Sequence, residues 1–217
     1  MIYSENILIC IGAPLLVAAF FLRGQARRFV SAFLTGMIIC LLTGYINGFI
    51  HLVSGEALEE TAVYISPVVE EIMKLLPLLF ILLVFDPGEA ELLQTAVAVG
   101  AGFATFENCC YLLSSGVDSL IYTLVRGLAV GVMHIMSIML LHLGMTIARR
   151  YRVLTATTII GATALSIIFH GLYNLLVSQP GINMAIGYCL PLCVAAIYYL
   201  VCVPLLEAGE EGNEAGE

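Results

Sequence analysis

Three ionisable residues, Glu70, Glu71 and Lys74, lie within a stretch, 63–85, that otherwise has the composition of a membrane-spanning helix. A charge near the bilayer centre costs at least a few kcal/mol, so it is kept only where it is paired, hydrated or used. Lys74 follows Glu70 by four residues and Glu71 by three, so on a helix it can pair with either acid. Two acids and one base leave one carboxylate unbalanced, which makes it a candidate general base. The structural alternative is a neutralised ion pair that holds two helices together.

Further polar residues lie in the apolar stretches that follow. The fourth contains Glu107, the fifth contains His134, and the sixth contains His170 and Asn174 one helical turn apart. At about 1.5 Å per residue, Glu107 and His170 lie roughly 10 Å below the outer ends of their helices, so we expect the polar residues to converge in the outer half of the membrane. Each residue also has a structural explanation, as a hydrogen-bond acceptor for Tyr or Asn or as a satisfied packing histidine. Arg126 could anchor a substrate or pair with Glu107.

Several familiar hydrolase motifs are absent from the sequence. There is no His-Glu-x-x-His zinc motif and no Gly-x-Ser-x-Gly nucleophile motif. A catalytic aspartate pair is excluded because Asp86 and Asp118 both fall in predicted loops. The seven cysteines lie within apolar stretches without a Cys-x-x-Cys pair, which indicates small apolar filler and not a disulfide framework.

Composition assigns the chain to the membrane proteins. Hydrophobic residues make up 61% of the 217 residues and charged residues 11%, whereas soluble domains are about a quarter charged. The mean hydropathy is +1.03. Because a helix needs about 20 apolar residues to cross a bilayer, we predict an all-α, polytopic transmembrane helical bundle of about seven spans. They cover roughly 5–22, 29–53, 62–85, 92–113, 120–148, 153–177 and 183–206. Residues 1–206 form one domain, and 207–217 are a disordered acidic tail.

Basic residues predict the orientation of the bundle. Clusters of arginine follow the first and fifth predicted spans, which places both clusters on one side of the membrane. The positive-inside rule makes that side cytoplasmic, so the N-terminus is outside and the C-terminus cytoplasmic. The first span lacks a basic segment before it and a small-residue cleavage site after it, so we expect it to be retained. Nothing in the charge pattern indicates nucleic-acid binding.

Two local patterns predict how the helices pack. The segment Ala98-Val-Gly-Ala-Gly-Phe-Ala104 has small residues at helical spacing, which lets neighbouring backbones approach closely. Pro67 and Pro77 lie on either side of the charged residues of the third span and predict a kinked helix there, since each proline removes a helical hydrogen bond. The absence of an internal repeat argues against an inverted-repeat transporter.

Four motifs together resemble those of the PrsW intramembrane proteases. In chain order they are Glu70-Glu71-Ile-Met-Lys74, then Gly102-Phe-Ala-Thr-Phe-Glu107-Asn-Cys-Cys-Tyr111, then His134, then His170-Gly-Leu-Tyr-Asn174. The resemblance covers residues 70 to 174. It implies membership of the superfamily that includes the CAAX-prenyl endopeptidases and the bacteriocin-immunity membrane proteins. Asn174 occupies a place where close relatives can have Asp, so an acid role there is in doubt.

The resemblance implies a multi-pass protease of the cell membrane, of bacterial type, that cuts single-span substrates such as anti-sigma factors near the extracytoplasmic side. We interpret Glu70 as the general base, with Glu71 and Lys74 setting its charge state. Glu107 would orient the water or a histidine.

Two histidines would stabilise the oxyanion of the tetrahedral intermediate, His134 and His170, helped by Asn174. We favour this metal-free, glutamic mechanism without a cofactor. The alternative is a metallopeptidase in which Glu107, His134 and His170 hold zinc and Glu70 acts on the bound water. Outside proteolysis, the remaining hypotheses are a proton- or ion-coupled transporter and a non-catalytic immunity or scaffold protein.

Overall fold

The computed structural model describes residues 3–115, 119–151, 155–202 and 204, and these ranges contain helices and no strand. The predicted all-α fold is therefore confirmed, and the seven predicted spans correspond to seven long helices. They are α1 (Ser4–Phe21), α2 (Gly24–Ser54), α3 (Ser66–Phe85), α4 (Glu89–Ser115), α5 (Leu120–Arg150), α6 (Thr155–Ser178) and α7 (Ile182–Ile197). The predicted acidic tail, 207–217, lies outside the described residues.

Six of the helices in the described ranges are long and apolar enough to cross a membrane, namely α1, α2, α4, α5, α6 and α7, the last extended to Val201. The remaining long helix, α3, has 20 residues and is the one that carries Glu70, Glu71 and Lys74. It packs against α2, α6, α4 and α5, so its charged residues are enclosed by protein. The chain is a multi-pass membrane protein.

Two glycines bring α2 and α4 into backbone contact, as the small-residue pattern predicts. A Cβ on Gly36 of α2 would collide with the carbonyl of Val99 in α4, and a Cβ on Gly102 of α4 would collide with the carbonyl of Phe33 in α2. Gly100 faces the other way, where a Cβ would meet Ile138 of α5 at 2.8 Å. Helix α4 is therefore clamped between α2 and α5, which fixes the position of Glu107 farther along it.

The start of α3 differs from the predicted kink. A helical turn, Leu58–Glu60, and a π-helical segment, Thr61–Ile65, lead into α3, and Pro67 lies in its first turn. Pro77 is inside the helix, as expected. Proline is tolerated in a first helical turn because its missing N–H has no helical partner there, so the irregular backbone lies before Pro67.

Candidate active site

A buried polar cluster lies where α3, α5 and α6 meet, and Lys74 is at its centre. The Lys74 side chain is fully buried, and its Nζ is 2.7 Å from Oε1 of Glu71, 2.8 Å from Nδ1 of His134 and 3.3 Å from Oγ of Ser137. The ammonium is a donor only, so three acceptors satisfy its three N–H groups. The predicted pairing of Lys74 therefore goes to Glu71 and not to Glu70.

Glu71 is satisfied at both carboxylate oxygens. Its Oε1 also accepts from Nδ1 of His170 at 2.7 Å, and its Oε2 lies 2.8 Å from Oγ of Ser166. The Glu71 side chain is fully buried. With a cation, an imidazole and a hydroxyl around it, Glu71 has a hydrogen-bond partner at each oxygen and holds Lys74 and His170 together.

Glu70 is arranged differently from its neighbour. Its Oε2 is buried and has no hydrogen-bond partner in the parts of the chain that the structure describes. That oxygen lies 3.8 Å from Nε2 of His170, beyond hydrogen-bond range. Because Nδ1 of His170 donates to Glu71, Nε2 is the ring nitrogen that faces Glu70. An unsatisfied carboxylate oxygen and an imidazole nitrogen therefore face one small gap.

Glu107 connects the cluster to α4. Its Oε2 accepts from Nε2 of His134, and its Oε1 lies 3.6 Å from a terminal nitrogen of Arg126. Since Nδ1 of His134 accepts from Lys74, the proton of the neutral ring is on Nε2. The chain of contacts thus runs from Arg126 through Glu107 and His134 to Lys74. Glu107 contacts both residues that the sequence analysis considered as its partners, a histidine and Arg126.

Three residues of the cluster were not singled out from sequence. Ser137 follows His134 by three residues and Ser166 precedes His170 by four, so small polar residues one turn from each histidine were the available signal. Phe103 is the third: its ring centroid lies 4.8 Å from that of His134 and 4.5 Å from Nζ of Lys74. Phe103 packs beneath the charged network and supplies a cation–π contact to the lysine.

Asn174 is not part of this cluster. Its Nδ2 donates to the carbonyl of Ala62 at 3.1 Å. In a π-helical turn that carbonyl would accept from the residue five positions on, which is Pro67 and has no N–H. Asn174 supplies the missing donor and so holds the irregular segment before α3.

Two cavities reach the cluster, and Glu107 lines both. The α2–α4 cavity, about 540 Å³, is lined by residues of α1, α2 and α4 and by Glu70 of α3. The α5–α6 cavity, about 830 Å³, is lined ahead of α3 by Glu59, Glu60 and 62–64, and by side chains of α4 to α7, including Arg126 and Asn174. Glu107 is therefore reached from two sides of the bundle and Glu70 from one.

The donor set of the cluster fits a zinc-type ion. Glu70, His134 and His170 each offer a ligand atom, and these atoms lie within 4.8 Å of one another. One carboxylate with two imidazoles is a set that catalytic zinc uses, and the unpartnered oxygen of Glu70 has no other role in the described structure. His134 can contribute only by releasing Glu107 or Lys74. The ligand set proposed from sequence had Glu107 in the place that Glu70 takes here.

Comparison with known proteins agrees with the motifs. The family model described as "PrsW family intramembrane metalloprotease" matches residues 25–206. No curated protein and no solved structure matches the chain. The family match covers most of the sequence and all of the cluster residues. The chain therefore belongs to the PrsW family of intramembrane proteases.

Proposed function

We propose that the chain cleaves single-span membrane proteins of the anti-sigma-factor type near the extracytoplasmic side, by means of a water molecule activated at Glu70. The observation that carries this proposal is the buried, unpartnered Oε2 of Glu70, which faces Nε2 of His170, on a glutamate that lines the α2–α4 cavity. A buried acceptor without a partner costs about 1–3 kcal/mol. Such a cost is expected where the group binds a reactant.

Glu70 takes the water proton and later delivers it to the leaving amine. Glu71 does not compete for this role because its two oxygens are already bonded to Lys74, His170 and Ser166. Its function is to hold His170 by Nδ1 so that Nε2 points at the reacting space. Glu70 thus transfers the proton, and the adjacent Glu71 orients His170.

The histidines support the oxyanion of the tetrahedral intermediate. His134 carries a proton on Nε2, directed at Glu107, and His170 would donate from Nε2 in its doubly protonated form, with its Nδ1–H held by Glu71. Turning the His134 donor toward the substrate requires Glu107 to shift toward Arg126, its other partner. Removing one oxyanion donor typically costs about 3 kcal/mol of transition-state stabilisation.

A zinc ion is the second form of this proposal, and both the donor set and the description of the family support it. Glu70, His134 and His170 would hold the ion, which would supply Lewis-acid polarisation of the scissile carbonyl. Glu107 would then be the carboxylate left to accept the water proton, since it lines both cavities.

The position of the cluster supports cleavage near the extracytoplasmic side. The cavities include Glu59, Ser178 and the start of α1, which lie at the ends of helices opposite to the arginines that the positive-inside rule assigns to the cytoplasm. At that opposite end, Arg28 pairs with Glu91 at 3.1 Å and Arg149 pairs with Asp86 at 3.0 Å.

The test is cleavage of a single-span substrate by purified protein in liposomes, with metal analysis of the same preparation. We expect fragments with the wild type and none with Glu70→Gln. Loss of activity on chelation, with recovery on adding zinc, selects the metal-dependent form, and chelator-resistant cleavage selects the metal-free form. Failure to cut any of several such substrates would contradict the proposal.

A further inference from the structure

We propose that Arg126 is a substrate-binding residue whose Nε–H donates to a backbone carbonyl of the substrate, in an extended flank seated in the α5–α6 cavity. This inference rests on the proposed function and adds to it a binding subsite beside the scissile bond. Four features of the structure carry it.

The guanidinium of Arg126 is held in a fixed orientation. Its Cζ lies 3.4 Å from the centroid of the Tyr111 ring, and a terminal nitrogen lies 3.6 Å from Oε1 of Glu107. The hydroxyl of Tyr111 is in turn 3.0 Å from that of Tyr122. A stacked, paired guanidinium loses little further freedom when it binds a ligand, so the ordering cost of a new hydrogen bond is small.

The Nε–H of Arg126 is the donor without a protein acceptor. This atom is buried and has no hydrogen-bond partner within the ranges that the structure describes. An unsatisfied donor on a charged group is more costly to bury than a neutral one. A ligand that supplies an acceptor to this Nε–H therefore gains binding free energy, because the donor is unsatisfied without the ligand.

The cavity brings Arg126 close to the catalytic cluster. Arg126 and Glu107 both line the α5–α6 cavity, and Glu107 also bonds His134. The guanidinium is thus separated from the catalytic cluster by a single carboxylate. An extended chain advances about 3.3–3.6 Å per residue, so a carbonyl one or two residues from the scissile bond is in reach.

The charges around the cavity favour a neutral acceptor. Among the described residues that line it, three are carboxylates, Glu59, Glu60 and Glu107, and one is a cation, Arg126. A carboxylate on the substrate would meet net repulsion, whereas a peptide carbonyl is neutral and strongly accepting. We therefore assign the subsite to the substrate backbone and not to an acidic side chain.

A measurement of substrate binding tests this inference separately from the cleavage reaction. In the Glu70→Gln background, which should bind without cutting, we expect Arg126→Gln to weaken binding of a single-span substrate about 10-fold or more, as for loss of a hydrogen bond to a charged group. The matched control is Arg23→Gln, an exposed arginine at the other end of the bundle, which should leave affinity unchanged. Equal affinity of the two double variants would overturn the inference while leaving the protease proposal intact.

A substrate change identifies the acceptor. Replacing single peptide bonds by esters weakens one carbonyl at a time. We expect one position within two residues of the scissile bond to lower affinity when Arg126 is present but not in the Arg126→Gln variant. Such non-additivity marks a direct contact. Three results would overturn the inference. They are additive effects at every ester position, full affinity in the Arg126→Lys variant, and affinity that depends on an acidic side chain of the substrate. Absence of any substrate binding would reject this inference together with the proposed function.

Discussion

Nδ1 of His170 lies 2.7 Å from the carboxylate of Glu71, while Nε2 of the same ring lies 3.8 Å from the carboxylate of Glu70. Two consecutive glutamates on α3 therefore address opposite nitrogens of one imidazole on α6. Glu70 has a buried oxygen without a hydrogen-bond partner in the described residues, whereas both oxygens of Glu71 are hydrogen-bonded. This asymmetry means that substitutions at the two positions should have different consequences.

Glu71→Gln should lose both activity and stability, and Glu70→Gln should lose activity alone. Removing the Glu71 charge leaves buried Lys74 without its hydrogen-bonded anionic partner, and breaking a buried ion pair costs roughly 3–5 kcal/mol. Glu70 has no bond to lose at Oε2, and Gln keeps its volume. Cleavage assays combined with thermal unfolding in detergent would measure both effects. Wild-type turnover by Glu70→Gln would contradict its role as the base or as a ligand.

Asn174→Asp should destabilise the start of α3 more than Asn174→Ala does. The carbonyl of Ala62 would lose its donor in both variants, at a cost of about 1–3 kcal/mol, but Asp would also place a carboxylate oxygen against that carbonyl. Hydrogen exchange of the Thr61–Ile65 segment would show faster opening in the order Asp, Ala, Asn. Normal exchange with impaired catalysis in both variants would instead support the oxyanion role proposed from sequence.

Most of the fold was predictable from sequence because apolar length dominates the behaviour of a chain in a bilayer. Seven apolar stretches gave seven long helices, and the small-residue pattern of 98–104 identified the tightly packed face of α4. The π-helical segment before Pro67 was not predictable, since it depends on a side chain more than 100 residues away, Asn174.

The candidate site was predictable in its residue types but not in its pairings. Spacing allowed Lys74 to pair with Glu70 or Glu71, and only the packing of α5 and α6 selects Glu71, by placing His134, Ser137, Ser166 and His170 around the pair. In the same way, Glu70 rather than Glu107 joins the histidines as a possible metal ligand, because Glu107 is engaged by His134 and Arg126.

Gly36→Ala should disrupt the bundle, and Gly48→Ala on the same helix should not. A methyl group at Gly36 meets the backbone of Val99 and Phe103, which cannot rotate away, whereas nothing lies within 4 Å of a Cβ at Gly48. Forced overpacking costs about 1–3 kcal/mol or more. We expect a lower unfolding temperature and reduced cleavage for Gly36→Ala alone. Equal stability of the two variants would mean that α2 and α4 do not approach as closely as described.

Reporter fusions test the orientation of the bundle independently of activity. Fusions after Arg28 and Arg152 should read cytoplasmic, and fusions near Glu59 and Pro180 should read external, because the arginine clusters set the inside face. Both cavities would then lie toward the extracytoplasmic side. An external signal at Arg152 would reverse the orientation and place the cluster in the wrong half of the membrane for cleavage near the extracytoplasmic side.

His170→Ala should eliminate cleavage while leaving substrate binding nearly unchanged. His170 contacts Glu71 and faces Glu70, and it lines neither cavity, so its effect falls on the transition state rather than on the bound substrate. Turnover in liposomes and affinity in the Glu70→Gln background would be measured side by side, with Gly161→Ala as a control in the same helix, since nothing lies within 4 Å of a Cβ there. Weak binding together with slow turnover would indicate a structural role.

The same variant distinguishes the protease from a proton-coupled transporter. A transporter also keeps Glu, Lys and His within the membrane, and His170→Ala would abolish its pH-driven solute uptake. The bonding pattern favours proteolysis, because Lys74 is held by three acceptors and Glu71 is hydrogen-bonded at both oxygens, whereas Oε2 of Glu70 has no partner in the described residues. One unpartnered carboxylate oxygen suits activation of one water molecule. Uptake driven by a proton gradient, with no fragments from any single-span substrate, would contradict that interpretation.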